Sequence, residues 1–313
     1  MKIGNRFLLL AAVLILVSFA LTVQAQLRLP RPSQKATVMQ TIGVTDVTIV
    51  YHRPGVKGRA IWGDPPAGAA AGTRTLDDSR TRPKEQVIVP YGHVWRSGAN
   101  EATVFEVTDP VLINGQPLAA GKYSLHTIPG KDEWTIIFNS DAGQWGSFSY
   151  DEKKDVLRVK TKPQPVTDNQ EWLMYSFDPV TENSAQVNLR WERLKVPFTV
   201  EVKDVKALAM EKARAAVAAA KPDDWSIRSQ AANYALQNKL NTDEAMQWLE
   251  QSIKIKETFG NLSIKARTLA EQGKTAEAVA TAEKAVQVGK ASNADPVNIA
   301  NLEKRIAEWK SKM

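Results

Sequence analysis

Residues 103–126 read TVFEVTDPVLINGQPLAAGKYSLH. Thr103-Val104-Phe105-Glu106-Val107 and Val111-Leu112-Ile113 lead into Asn114-Gly115, a pair that tolerates positive φ at both positions and so turns a chain sharply back on itself. Gly121-Lys122-Tyr123-Ser124-Leu125-His126 forms the next strand, and Pro129-Gly130 turns it into Trp134-Thr135-Ile136-Ile137-Phe138. The connections are turns, with no helical period between them, and strands joined this way pair antiparallel. Upstream the same period of two puts Val47, Ile49 and Tyr51 on one strand face and Thr48, Val50 and His52 on the other. Downstream, 156–159, 172–177, 185–191 and 198–202 are further strand candidates. The expected fold of residues 26–203 is an antiparallel β-sandwich.

Residues 64–86 break this pattern. Pro65-Pro66, a run of Ala and Gly, and the mixed charges of Arg74, Asp77, Asp78, Arg80 and Arg82 bury little surface, so this stretch is expected as a flexible insertion between two strands.

Beyond Val202 the period becomes helical, and residues 204–313 are expected as a helical domain. Residues 207–220 are rich in Ala, Lys and Glu, good helix formers, and Lys221-Pro222 ends the run; a solvated connector helix is expected there. Asp223 or Asp224 caps the next helix and Thr242 the one after. Asp295-Pro296 is a cap followed by proline at the first helical position, where its missing N–H costs nothing. Leu236, Glu244 and Ala245 recur 33 positions on as Leu269, Glu277 and Ala278. Small residues at Ala245, Ala278 and Ala285 let two helices approach closely. Over roughly 224–291 the chain resembles the tetratricopeptide repeat, departing from it at Leu240, where the turn glycine falls, and at Ser252, where Ala285 recurs. The fold class is therefore an antiparallel β-sandwich followed by α-helical hairpins. So short an array needs caps or a docking partner, and a plain stabilising cap for the sandwich is one role it can fill.

With 313 residues, 43% of them apolar and 24% charged, the chain has enough core-forming residues for two ordinary domains, which excludes a disordered or collagen-like chain. It contains no cysteine, which excludes disulfides, zinc ribbons, Fe–S clusters and thiol nucleophiles. A net charge of +7 on this length is too diffuse for a nucleic-acid footprint. Lys2 and Arg6 precede an apolar run from Phe7 to Leu21, and Val23-Gln24-Ala25 supplies a cleavage site, so residues 1–25 are expected as a secretory signal peptide. The run is short for a membrane span, and no cysteine follows it to carry a lipid. The expectation is export to the periplasm or beyond the cell, without lasting membrane insertion.

Two segments concentrate unusual chemistry: Tyr51-His52-Arg53-Pro54-Gly55-Val56-Lys57-Gly58-Arg59, and Tyr91-Gly92-His93-Val94-Trp95-Arg96-Ser97-Gly98-Ala99-Asn100-Glu101. With Gly121-Lys122-Tyr123-Ser124 and the strand 134–139 they resemble, over about residues 32–202, the secreted bacterial domain-of-unknown-function family 2911. That resemblance implies an exported all-β domain and supplies no catalytic residues; the insertion at 64–86 departs from its pattern. Read physically, guanidinium forks suit carboxylates, phosphates or sugar hydroxyls, and neighbouring aromatics stack on a ligand face. Tyr51, Arg53, Arg59, Trp95, Arg96, Asn100 and Glu101 are the candidate ligand-binding residues. The competing reading is a structural network in which Glu101 pairs with Arg96 or Arg59, the arginines satisfy loop carbonyls and Trp95 is core.

His52, His93 and His126 show no zinc-binding spacing, and no Gly-x-Ser-x-Gly elbow or phosphate loop occurs, so no catalytic residue, metal or cofactor is assigned. Trp145-Gly146-Ser147-Phe148-Ser149-Tyr150 is either an exposed aromatic loop able to stack on sugars or, as expected, a strand edge with its aromatics buried. The functional expectation is a non-catalytic exported binding protein. It takes a small anionic or hydroxyl-rich ligand on the β domain and a peptide or protein partner on the helices, and no nucleic acid. The alternative is a periplasmic hydrolase of envelope glycans or esters using Glu101 and a histidine.

Overall fold

The strand Gln34–Ile42 (β1) turns through Gly43 and Val44 and returns as Thr45–Arg53 (β2), so that Lys35 lies opposite His52 and Ile42 opposite Thr45. A computed structural model describes residues 29–65 and 86–313 of the chain; the expected signal at 1–25 and most of the insertion at 64–86 lie outside the described residues. Two short strands, Trp62–Gly63 (β3) and Val89–Pro90 (β4), pair in parallel. Then come Thr103–Val107 (β5), Val111–Ile113 (β6), Gln116–Leu118 (β7), Gly121–Ile128 (β8) and Trp134–Asn139 (β9). Asp155–Thr161 (β10) precedes two long strands, Gln164–Val180 (β11) and Ser184–Glu201 (β12). The β6–β7 turn is made by Asn114 and Gly115, both at positive φ, as the dipeptide predicts.

These strands form two antiparallel sheets, one in the order β1-β2-β5-β8-β9-β10 and one in the order β11-β12-β6-β7. They are packed face to face as a sandwich. Phe105 on β5 and Phe138 on β9 meet Phe198 of the second sheet at 6.2 and 6.0 Å between ring centres, and Ile49, Val187 and Val200 are fully buried in the same core. At one end four indoles gather: Trp95 stacks on Trp191 at 5.9 Å, and Trp62 meets Trp95, Trp134 and Trp191 edge-on. Tyr51 and Tyr175 tie the sheets together. The Tyr175 backbone N–H donates to the Tyr51 hydroxyl, and the Tyr175 hydroxyl donates to the Ser97 carbonyl.

Expected as two strands, 185–191 and 198–202 belong to the single strand β12. It pairs with β11 along its first part and with β6 at Val200 and Glu201, and Glu192 at φ 53° marks a bulge. Pro197 sits where the neighbours change, which is where a strand tolerates a missing N–H.

Six helices follow: Val205–Ala219 (α1), Trp225–Gln237 (α2), Thr242–Ile255 (α3), Phe259–Glu271 (α4), Thr275–Ala291 (α5) and Pro296–Lys310 (α6). The carboxylates of Asp204, Asp224 and Asp295 accept first-turn N–H groups of α1, α2 and α6. The cap of α3 is Asn241 rather than Thr242, and it makes no side-chain cap bond. Helix α1 is no solvated connector. Val205 and Leu208 pack on the sandwich core, while Met210 is buried among Ala232, Ala235 and Leu249 of the hairpin α2–α3. Among the described residues no helix is long and apolar enough to cross a membrane.

The repeat is a pair of hairpins, α2–α3 and α4–α5, with Ala245, Ala278 and Ala285 fully buried at the approaches. In the second turn Gly273 takes the left-handed conformation at φ 76°. In the first, that role falls to Lys239 at φ 56°, one position before Leu240, because this turn is one residue longer. Ser252, also fully buried, replaces an alanine contact with hydrogen bonds. Its hydroxyl donates to the Trp225 carbonyl at 2.8 Å and accepts from Asn261 Nδ2 at 3.1 Å, which joins the two hairpins.

Candidate functional site

The outer face of the six-stranded sheet carries a hollow of about 200 Å³ where β1, β2 and β5 run side by side. Its floor is Val50, His52 and Val104, with the exposed Lys35 at the rim, brought together because β1 pairs Lys35 with His52 and β5 pairs Val104 with Val50. Glu101 and Ala102 close one side and Ala142, Gly143 and Gln144 the other. The two walls are held by backbone bonds from Ala102 N–H to the Gln144 carbonyl and from Gly146 N–H to the Asn100 carbonyl.

Glu101 is the charged centre. Arg31 Nη1 lies 2.8 Å from both of its oxygens, and His52 Nε2 is 3.4 Å from Oε2. The Glu101 carboxyl is held below the ordinary carboxylate range: partial burial pushes it up, but the Arg31 hydrogen bond and the neighbouring charges outweigh that. Burial pulls His52 below the ordinary histidine value, and the attraction of Glu101 offsets this only in part. At neutral pH the pair is therefore a carboxylate beside a neutral imidazole.

Beyond Glu101 stands Trp145, joined to it by a backbone bridge, with the Arg31 guanidinium 5.5 Å from the centre of its ring. Trp145 is 52% exposed and Phe148 48%, so this loop is the exposed aromatic platform and not the buried strand edge. Gln144 is buried, and its amide nitrogen bonds the Asp141 carbonyl and Asn139 Oδ1. Among the described residues its Oε1 has no donor. An acceptor left dry in this way costs roughly 1–3 kcal/mol.

Of the seven candidate residues, Glu101 lines this hollow and the other six do not. Tyr51 lies in the inter-sheet core, and Trp95 in the indole cluster with Nε1 donating to the Gly98 carbonyl. Arg53 donates to the Leu173 and Trp172 carbonyls, and Arg59 closes its own turn on the Val56 and Gly55 carbonyls. Arg96 and Asn100 brace the wall. Arg96 Nη1 donates to the Asn100 carbonyl, and Asn100 Nδ2 donates to the Ser33 carbonyl.

The two quoted segments do meet, since Gly98 packs against the His52 backbone so closely that a Cβ there would lie 3.1 Å from its carbonyl. They meet through His52 and Glu101; Arg53 and Arg59 are engaged elsewhere, and Arg96 braces the wall. Lys35, Arg31 and Gln144 escaped the sequence reading. The tight turn at Gly43 fixes the register that puts Lys35 opposite His52, which is the one signal that points to it. Among the described residues no group of three or more His, Asp or Glu side chains gathers as a metal centre.

A family model described as "Protein of unknown function (DUF2911)" matches residues 33–200, which takes in Lys35, His52, Glu101, Gln144 and Trp145 and stops short of the helices. No curated protein and no solved structure matches the chain.

Proposed function

The chain belongs to the DUF2911 family, and on that premise we propose that it is an exported binding protein of the periplasm or cell exterior. In this reading its β-sandwich takes a small hydroxyl-rich ligand, such as a sugar of the envelope, and its helices present a surface to a peptide or protein partner. The observation that carries the first part is the exposed Trp145 ring beside a hollow lined by the Glu101 carboxylate. A sugar offers an apolar face to stack on an indole and hydroxyls to donate to the Glu101 oxygens, while Lys35 supplies a donor at the rim. An anionic ligand would meet Glu101 head-on, so the neutral polyol is preferred.

The hydrolase alternative finds support in the 3.4 Å approach of His52 to Glu101. It is the weaker reading, because a general acid needs a carboxyl pushed upward, and Glu101 is held down. Isothermal titration calorimetry with the neutral disaccharide N,N′-diacetylchitobiose tests the proposal. Trp145→Ala is expected to weaken binding by about tenfold, about 1.4 kcal/mol, and Trp172→Ala, which removes another exposed indole, to leave it unchanged. No heat with the wild type, or equal effects of the two substitutions, sinks the binding reading. Turnover of the disaccharide with a bell-shaped pH profile, abolished by Glu101→Gln, replaces it with the hydrolase.

A further inference from the structure

The six-stranded sheet ends on one side at β1. This strand runs nine residues opposite β2 without a bulge, contains no proline, and carries its one charge, Lys35, near its start. A long flat edge of this kind accepts a further strand, and folded proteins guard such edges with charges, prolines, bulges or covering loops. The other three edges of the two sheets are guarded in these ways. β10 has Asp155, Arg158 and Lys160 along it and a bulge between Asp155 and Leu157. β7 is three residues long and contains Pro117. β11 is bulged, and the segment from Pro54 to Val56 bonds its backbone at Glu171 and Leu173. On β1, among the described residues, one hydrogen bond reaches the outer edge, from Gln40 Nε2 to the Thr41 carbonyl at 2.9 Å. Asp46, opposite Thr41, turns its backbone N–H and C=O to Thr108 on the far side. The backbone groups of Thr41 therefore face outward, and by the alternation of an antiparallel ladder so do those of Met39, Thr37 and Lys35.

We propose that two copies of this chain pair antiparallel through β1, joining their six-stranded sheets about a two-fold axis at Val38. One antiparallel register pairs all four outward-facing residues: Lys35 with the partner's Thr41, and Thr37 with the partner's Met39. An edge that is its own complement meets the demand of a two-fold interface. Charge selects the same register. Thr41 Oγ1 donates to Asp46 Oδ1 at 2.7 Å, so this carboxylate stands on the outer face, one strand in from the edge. Lys35 is exposed on that face and joins no ion pair among the described residues. Across the join it lies two strand spacings, about 9.5 Å, from the partner's Asp46, a gap that the two side chains span together. Symmetry repeats the pair on the other side of the axis. Met39, 55% exposed, is covered by the partner's Thr37. An ammonium has three donors, so Lys35 in this pair still serves the rim of the hollow. Neither binding reading above bears on the inference.

Sedimentation velocity of the purified chain over a concentration series is expected to show a reversible dimer. Met39→Pro removes an outward N–H while leaving the β1–β2 ladder whole, a change that a strand edge tolerates. It is expected to return the chain to a monomer with an unchanged circular dichroism spectrum. Lys35→Asp and Asp46→Lys each set like charges across the join, and each is expected to weaken the dimer by about tenfold or more. The two combined in one chain are expected to restore it, a recovery that a folding defect cannot produce. A monomer at every concentration overturns the proposal. So does a dimer untouched by Met39→Pro, or a double variant that associates no more tightly than the single ones.

Discussion

Glu101 answers to two partners of unlike kind, a permanently charged Arg31 in solvent and a buried His52 kept neutral. Of the charges acting on His52, Glu101 alone favours the imidazolium, and Arg31, Lys35 and Arg96 all oppose it. Glu101→Gln is therefore expected to lower the His52 pKa further, read by its ring proton shifts in an NMR titration; an upward shift contradicts the pairing. The sign for stability follows from the same depression. The unfolded chain binds a proton at His52 near pH 6.5 and the folded chain only below that, so folding stability drops as pH falls through this window. His52→Gln should flatten that part of the pH–stability curve. At this scale the sequence exposes Glu101 through its Trp-Arg-x-Gly-Ala-Asn-Glu context, and of its two readings of the arginines the one that puts them on backbone carbonyls fits Arg53, Arg59 and Arg96, without saying which carbonyls. The carbonyls that Arg53 satisfies belong to Trp172 and Leu173 on β11, and no local pattern announces a neighbour so distant in the chain.

Strands bounded by turn residues were the most legible elements. β5, β6, β8 and β9 fall where alternation and Asn114-Gly115 put them, since period and punctuation are local properties. β12 was not legible as one strand. Its pairing passes from β11 to β6 midway, and Pro197 at the change of neighbour reads locally as an end. Among the helices the departures from the repeat proved structural: Lys239 takes the left-handed place of glycine, and Ser252 trades an alanine contact for a bond network. Ser252→Ala removes the acceptor of a fully buried Asn261, although Asn261 keeps the Lys256 carbonyl. A loss of about 1–2 kcal/mol in urea unfolding is expected, and a neutral result means the hydroxyl is dispensable at the junction of the hairpins.

Sandwich and helices are fastened through α1. Gly43, at φ 60° in the β1–β2 turn, lies so close to Val205 that any side chain there would run into it. Nearby, Lys212 Nζ reaches Asp109 Oδ2 at 2.6 Å and the Val44 carbonyl at 2.9 Å. Burial raises the Asp109 carboxyl, but bonds from Lys212, Thr108 and Thr45 outweigh it and hold the group below its ordinary value. Lys212→Met is expected to cost about 1–2 kcal/mol at pH 7, less than a fully buried pair because the ammonium is partly in water. With the Asp109 pKa depressed, this contribution is present above the unfolded value of about 3.9 and vanishes as pH falls through the folded one. The difference between denaturant melts of the two proteins should therefore shrink as pH is lowered stepwise from 7 into the acid range below about 3.9. The four indoles at the far end of the sandwich have an optical consequence. Trp62 stands edge-on to Trp95 and Trp191, 5.6 Å from each at 78° and 85°, a skewed geometry in which their excited states mix. The β half thus carries an exciton signature in circular dichroism that vanishes when its sheets part, whatever the helices are doing.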